Sequence, residues 1–199
     1  MIAVVDYGAG NLFSVGNALD RLGLAYRVTA DPDALDAASG IILPGVGAFP
    51  DAMALLRRSG MAGAILRNAG NKPLLGICLG MQMLFERGYE FKETAGLGLL
   101  PGEVRPLAPD GLKVPHVGWN RLDLRQSHPL LAGLPDDPYV YFVHSYAVRT
   151  DRNILATAEY GGPVAAAVGT GRVMGTQFHP EKSGRVGLRI LANFGGLCS

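Results

Sequence analysis

Cysteine is scarce in this chain, neither sign of charge dominates, and no apolar run is long. Only Cys78 and Cys198 occur in 199 residues, which excludes a disulfide framework. No Cys/His cluster has metal-ligand spacing, so no metal is expected. Lysine and arginine number 18 against 17 aspartates and glutamates, a net charge of +1. That balance speaks against nucleic acid as a partner, because phosphate binding needs a concentrated basic face. No apolar stretch approaches the ~18 residues of a membrane span. The opening Met1-Ile2-Ala3-Val4-Val5-Asp6 has neither a basic start nor a cleavage site, so no signal peptide is expected. What remains is a globular composition, 48% hydrophobic and 18% charged, in a chain long enough to bury roughly 70% of its unfolded surface. The expectation is one soluble, cytoplasmic domain over residues 1–199 that binds neither membrane nor nucleic acid.

Glycine, by contrast, is abundant at 28 residues, and it closes short apolar runs instead of forming a repeat. β-Branched and apolar runs at 2–5, 26–29, 40–43 and 74–77 read as strands. Helical spacing at 14–22, 51–58, 61–68 and 79–87 places helices between and behind them. Strands that alternate with helices imply βαβ units and a parallel sheet buried on both faces. The second half differs, with strand-like runs at 104–107, 119–124, 140–143, 154–159, 164–168 and 173–177. Gly161-Gly162 and Gly169-Thr170-Gly171 stand where hairpin turns belong, and a last helix is expected at 185–194. The fold class is therefore α/β: an open, mixed, mostly parallel sheet flanked by helices, with antiparallel strands in the C-terminal half.

The segment richest in chemistry is Leu74-Leu75-Gly76-Ile77-Cys78-Leu79-Gly80-Met81-Gln82, a strand, then Gly-x-Cys-x-Gly, then a helix. It matches the nucleophile-elbow pattern with Cys in place of Ser. A nucleophile at so sharp a turn sits on strained backbone, and flanking glycines let neighbouring chain approach. The helix N-terminus favours a thiolate, and its N–H groups can stabilise an oxyanion. Such a cysteine needs a base. Of His116, His128, His144 and His179, the last stands in Thr176-Gln177-Phe178-His179-Pro180-Glu181, where a carboxylate two residues on can orient the ring. Pro44-Gly45-Val46-Gly47 follows a strand and can present a second oxyanion donor. Alone, each segment also has a plain alternative: a small core cysteine, a surface strand end, an ordinary turn.

Together, and in this order and spacing, residues 44–47, 76–82 and 179–181 resemble class I (triad-type) glutamine amidotransferases. Four further motifs narrow the likeness to the glutaminase subunits of imidazole glycerol phosphate synthases. They are Asp6-Tyr7-Gly8-Ala9-Gly10-Asn11-Leu12, Pro44-Gly45-Val46-Gly47-Ala48-Phe49, His116-Val117-Gly118-Trp119-Asn120 and Tyr141-Phe142-Val143-His144-Ser145-Tyr146. The resemblance spans nearly the whole chain and implies a flavodoxin-like sheet. It also implies that the chain hydrolyses L-glutamine and passes ammonia to a separate cyclase subunit, a (β/α)₈ barrel, in L-histidine biosynthesis, without a cofactor. Cys78 is then the nucleophile that forms a γ-glutamyl thioester, His179 the acid and base, and Glu181 the group that orients it. Leu79, with Val46 and Gly47, supplies oxyanion donors or backbone contacts. Gln82, Glu90 and Ser145 match substrate contacts, although Gly88-Tyr89-Glu90 departs from the family's Ser-Glu-Glu-like stretch. Asn11, Tyr141, His144 and Lys182 match positions near the partner interface and glutaminase gate. Alternatives at this point are a glutaminase subunit of another synthase, such as that of pyridoxal phosphate synthesis, a self-sufficient cysteine peptidase or γ-glutamyl hydrolase, and an interaction module.

Overall fold

Apolar runs without alternation belong on strands covered on both faces, and the first half of the chain supplies them in the computed structural model, which describes residues 1–198. In chain order come β1 (Ile2–Val5), α1 (Leu12–Arg21), β2 (Tyr26–Thr29), α2 (Asp33–Ala37), β3 (Gly40–Gly45), α3 (Phe49–Arg58), α4 (Met61–Asn68), β4 (Leu74–Cys78) and α5 (Leu79–Met83). Then follow β5 (Phe85–Gly88), β6 (Thr94–Ala95), β7 (Leu100–Pro106), β8 (His116–Arg121), β9 (Asp123–Leu124), β10 (Tyr139–His144), β11 (Tyr146–Arg149), β12 (Ile154–Glu159), β13 (Pro163–Thr170), β14 (Val173–Thr176) and α6 (Gly184–Leu197).

The main sheet has the order β2-β1-β3-β4-β14-β13-β12-β9. Its first five strands run parallel, and the last three continue antiparallel. The period of two along each strand divides the core into two layers. Ala3, Val5, Ile41, Leu43 and Leu74 point to the layer of α3 and α4, where they meet Met53, Leu56, Met61 and Ile65. Ile2, Val4, Ile42, Leu75 and Ile77 point the other way, onto Val15 and Leu19 of α1 and Ile190, Leu191 and Phe194 of α6. Each such large side chain, fully buried, contributes about 1.5–3 kcal/mol. This is the expected open, mostly parallel sheet between helices, with the expected antiparallel half.

Two expected elements are different. The strand expected at 119–124 breaks at Leu122 into the end of β8 and β9, which belong to different sheets. The helix foreseen at 79–87 stops at Met83, and Phe85–Gly88 forms β5 of a second, four-stranded sheet in the order β11-β7-β5-β6. Phe85 pairs with Leu100 there. The apolar run 83–85 suits either state, and the sheet partner decides it. A third, two-stranded ribbon joins β8 to β10.

Candidate active site

Strand β4 ends on Cys78 and α5 begins at the next residue, so the sulfur stands where strand becomes helix. Cys78 has φ +55° and ψ −111°, a conformation that costs a non-glycine residue on the order of 1–3 kcal/mol. The surroundings enforce it. In register, Gly45 of β3 faces Cys78, and α5 lies directly on the sheet because the strands beneath it lack side chains there. A Cβ on Gly76 would stand 2.6 Å from the Gly80 carbonyl oxygen, and one on Gly175 2.7 Å from Met81 Cγ. Any side chain on Gly80 would collide with the Leu43 carbonyl.

His179 follows β14, which lies beside β4. A single 3₁₀ turn over Pro180–Lys182 then folds Glu181 back, and its Oε1 lies 2.7 Å from His179 Nδ1. The two side chains are only 3% and 1% exposed. Burial by itself lowers the proton affinity of His179, but its hydrogen bonds to Cys78 and Glu181 more than reverse this and lift its pKa to about 9. The second oxygen of Glu181 is buried with no partner among the described residues, so that carboxylate's charge is spent on the imidazole alone. Ser183 fixes the turn from behind: its Oγ donates to the His179 carbonyl at 2.6 Å and accepts from the Tyr141 N–H at 2.9 Å.

The other histidines are otherwise engaged. His144 lines the same cleft, yet its Nδ1 faces the Tyr146 carbonyl at 2.8 Å and its Nε2 faces His116 Nδ1 at 3.0 Å. A carbonyl only accepts, so Nδ1 of His144 carries the proton; Nε2 then accepts, and His116 Nδ1 donates. His116 completes the chain by accepting from Asn120 Nδ2 at 3.3 Å. Burial holds both rings down at a pKa of about 4, so they are neutral at pH 7. Neither keeps a free nitrogen for a substrate. His128 accepts from the Leu130 N–H in a groove elsewhere. Only His179 is placed to serve the thiol.

Cys78 opens onto a cleft of about 340 Å³, near the lower end of ligand pockets (~300–1,000 Å³). Leu79 and the exposed loop residues Val46 and Gly47 form one wall. Leu79 is the first residue of α5, so its N–H has no acceptor within that helix. Gly47 has φ +96°, and a Cβ there would meet nothing within 4 Å. Gln82, Glu90, Ser145 and Lys182 face the cleft from other sides.

The chain matches the family "glutamine amidotransferase class-I" over residues 3–195. It is 52% identical to the imidazole glycerol phosphate synthase subunit HisH of Halalkalibacterium halodurans, over 99% of this chain and 96% of that one. Identity to the HisH subunit of Moorella thermoacetica is also 52%, over 98% and 94%. This chain belongs to the HisH subunits of the class I glutamine amidotransferases. In fold it also agrees with a crystal structure of a glutamine amidotransferase, at TM-score 0.78 and 22% identity, covering 100% of this chain and 99% of that one.

Most of the residues that sequence reasoning nominated in this HisH-family chain thus line one cleft; Glu181 stands behind His179, and Asn11 and Tyr141 stand apart. Asn11 caps α1, its Oδ1 accepting from the Ser14 N–H at 3.2 Å, and it is not among the cleft-lining residues. Tyr141 also lies outside the lining. Its carbonyl accepts from the His179 N–H at 3.0 Å, and its ring meets Trp119 edge-on at 6.1 Å. Sequence reasoning overlooked Gln177. Fully buried, it donates from Nε2 to Cys78 Sγ at 3.7 Å and accepts from Gln82 Nε2 at 2.9 Å. Gln82 Nε2 also donates to the Tyr146 carbonyl at 2.9 Å, which leaves only its carbonyl oxygen to meet a ligand. The available signal was a polar amide in the apolar run 173–178, two residues before His179 and so on its side of the chain.

Proposed function

We propose that this chain is the glutaminase subunit of imidazole glycerol phosphate synthase. It hydrolyses L-glutamine to glutamate and ammonia and supplies the ammonia to a cyclase subunit that makes imidazole glycerol phosphate and AICAR in L-histidine biosynthesis. The observation that carries this reading is the array Cys78–His179–Glu181 at a strained strand-to-helix turn facing a small cleft. In the proposed sequence His179 takes the thiol proton, and Sγ attacks the carbon of the side-chain amide. Leu79 and the loop at residues 46–47 offer N–H groups to the oxyanion. The C–N bond breaks as His179 gives its proton to the leaving ammonia, which leaves a γ-glutamyl thioester. Neutral His179 then deprotonates a water that attacks the thioester, and glutamate departs as the proton returns to sulfur. Gln82, Glu90 and Ser145 hold the substrate, and no cofactor enters.

A partner surface is supported by the β8–β10 ribbon. Its inward residues His116, Val140, Phe142 and His144 are buried, while Val117, Trp119, Tyr139 and Val143 stay exposed, at 55%, 56%, 50% and 37%. Contiguous exposed apolar side chains mark association surfaces. Val143 and Lys182 also border the cleft, so a partner on this face sits over the exit of the glutamine site and can receive ammonia away from water. Asn11, Tyr141, His144 and Lys182 are assigned here to the interface and its gate. We read the whole chain, 1–199, as one amidotransferase domain working in the cytoplasm.

The test is Cys78→Ala in the complex with the cyclase. Glutamine-dependent product formation should fall at least ~10³-fold, while turnover with free ammonia stays at the wild-type level. Surviving glutamine-dependent turnover would overturn the reading.

A further inference from the structure

The loop that bears Val46 and Gly47 is held at two posts and loose between them. The first post is Gly45, in register with Cys78 and so close to α5 that a Cβ would stand 2.6 Å from the Gly80 nitrogen. The second is Phe49, the first residue of α3. Its helix has no cap from its own sequence, since Ala48 offers no side-chain acceptor. The acceptor comes instead from 41 residues away: Glu90 Oε2 takes the Phe49 N–H at 2.7 Å. A carboxylate is well suited to that task, because unpaired N–H groups and the helix dipole both favour negative charge there. Gly88, two residues before Glu90, closes the clasp. A Cβ on it would lie 2.8 Å from the Phe49 ring, so only glycine lets this strand press on that ring.

Between the posts only the Ala48 carbonyl is held, accepting from the Ala52 N–H at 3.0 Å. The space around Gly47 is open, and the Gly47 and Ala48 N–H groups have no acceptor among the described residues. Glu90 also borders the cleft, and its Oε1 has no hydrogen-bond partner among the described residues. One carboxylate thus reaches the oxyanion loop with one oxygen and offers the other to the ligand space.

We propose that Glu90 is a positioning residue that couples recognition of the substrate's α-ammonium group to the placement of the oxyanion loop. Its Oε1 takes the ammonium while its Oε2 holds the far post of the loop. A ligand that draws the carboxylate therefore draws Phe49, and with it the peptide groups at 46–48. The inference rests on the glutaminase reading and adds to it a link between two parts of the site.

Two variants separate the tasks. Glu90→Gln keeps an oxygen acceptor for the Phe49 N–H but loses the charge for the ammonium; Glu90→Ala loses both. They are assayed in the complex with the cyclase, on glutamine and on glutaramate, which is glutamine without its amino group. For Glu90→Gln the expected result on glutamine is a KM raised about tenfold or more with kcat within about threefold. Glu90→Ala is expected to raise KM similarly and also to lower kcat at least about tenfold. On glutaramate, where no ammonium exists, Glu90→Ala should still fall well below Glu90→Gln. Gly88→Ala, which keeps Glu90 but crowds Phe49, should lower kcat and leave KM near wild type. Wild-type turnover with free ammonia in each complex verifies folding. If Glu90→Ala and Glu90→Gln share one kcat on glutamine, Glu90 is at most an ammonium contact and the coupling is wrong. If wild type releases no glutamate from glutamine, the glutaminase reading itself fails; if it does and the split is absent, only the coupling fails.

Discussion

At the scale of single residues, the site is a matter of which groups hold protons. His179 has a pKa of about 9 against an ordinary 6.5, with burial opposing the rise and its bonds to Cys78 and Glu181 producing it. Once it has taken the thiol proton, it therefore holds at neutral pH the proton that departing ammonia needs. The alkaline limb of kcat in the complex is expected near pH 9. Replacing Glu181 by Gln removes one of the raising contacts and should move that limb to lower pH. Stability follows the same linkage. A group whose pKa is raised on folding contributes fully below its unfolded value and loses that contribution as pH rises through its folded one. The stability advantage of wild type over Glu181→Gln, measured by urea unfolding, should thus be full below about pH 6.5 and shrink as pH rises through 9. A limb or a stability gap that ignores the substitution would contradict this account of the pair. Residue chemistry was also what the sequence displayed best. Cys78, His179 and Glu181 stood out because each sits in a short motif of unusual composition. Gln177 did not, since a single amide in a strand gains meaning only from what lies above it.

At the scale of elements, the elbow depends on empty space. α5 can rest on β3, β4 and β14 only because Gly45, Gly76, Gly80 and Gly175 present no Cβ between them. A methyl group at Gly80 meets backbone on a packed strand, which has no room to yield. Gly80→Ala is expected to destabilise the fold by about 3 kcal/mol or more and to abolish glutamine hydrolysis. Gly196→Ala, in α6 with nothing within 4 Å of its Cβ position, should be neutral or slightly stabilising. Equal urea midpoints for the two variants would refute the steric account. Elements were legible in the sequence where a run or period is bounded by clear breaks: β1, β2, β12 and α4 fall where the pattern places them. The helix expected at 79–87 fails because its second half is claimed by a strand pairing with β7, 15 residues away at the Phe85–Leu100 contact. Short pieces such as α2 and β6 carry too few residues for a period to show, and the packing around them decides their state.

At the scale of the molecule, the arrangement separates a rigid half from an incomplete one. The parallel strands, with helices on both sides, hold Cys78 and His179 side by side on β4 and beyond β14. The loop at 46–48 and the exposed face of the β8–β10 ribbon, in contrast, are where the molecule leaves backbone N–H groups without an acceptor among the described residues and apolar side chains uncovered. An enzyme that hydrolysed glutamine unchecked would waste it, and a site finished by its partner avoids this. The resemblance to partner-dependent glutaminases was readable from motifs spread over the whole chain. The neutral His116–His144 pair and the clasp of Glu90 on Phe49 were not, because they join residues 28 and 41 positions apart.

The central claim is that this chain hydrolyses glutamine at Cys78 under the control of a cyclase subunit. The most direct test is glutamate release from L-glutamine by the purified chain, alone and with the cyclase and its nucleotide ligand. The account predicts low release alone, a rise of at least about 10²-fold in the ligand-bound complex, and none with Cys78→Ala. High release by the chain alone, unchanged when cyclase and ligand are added, would contradict it.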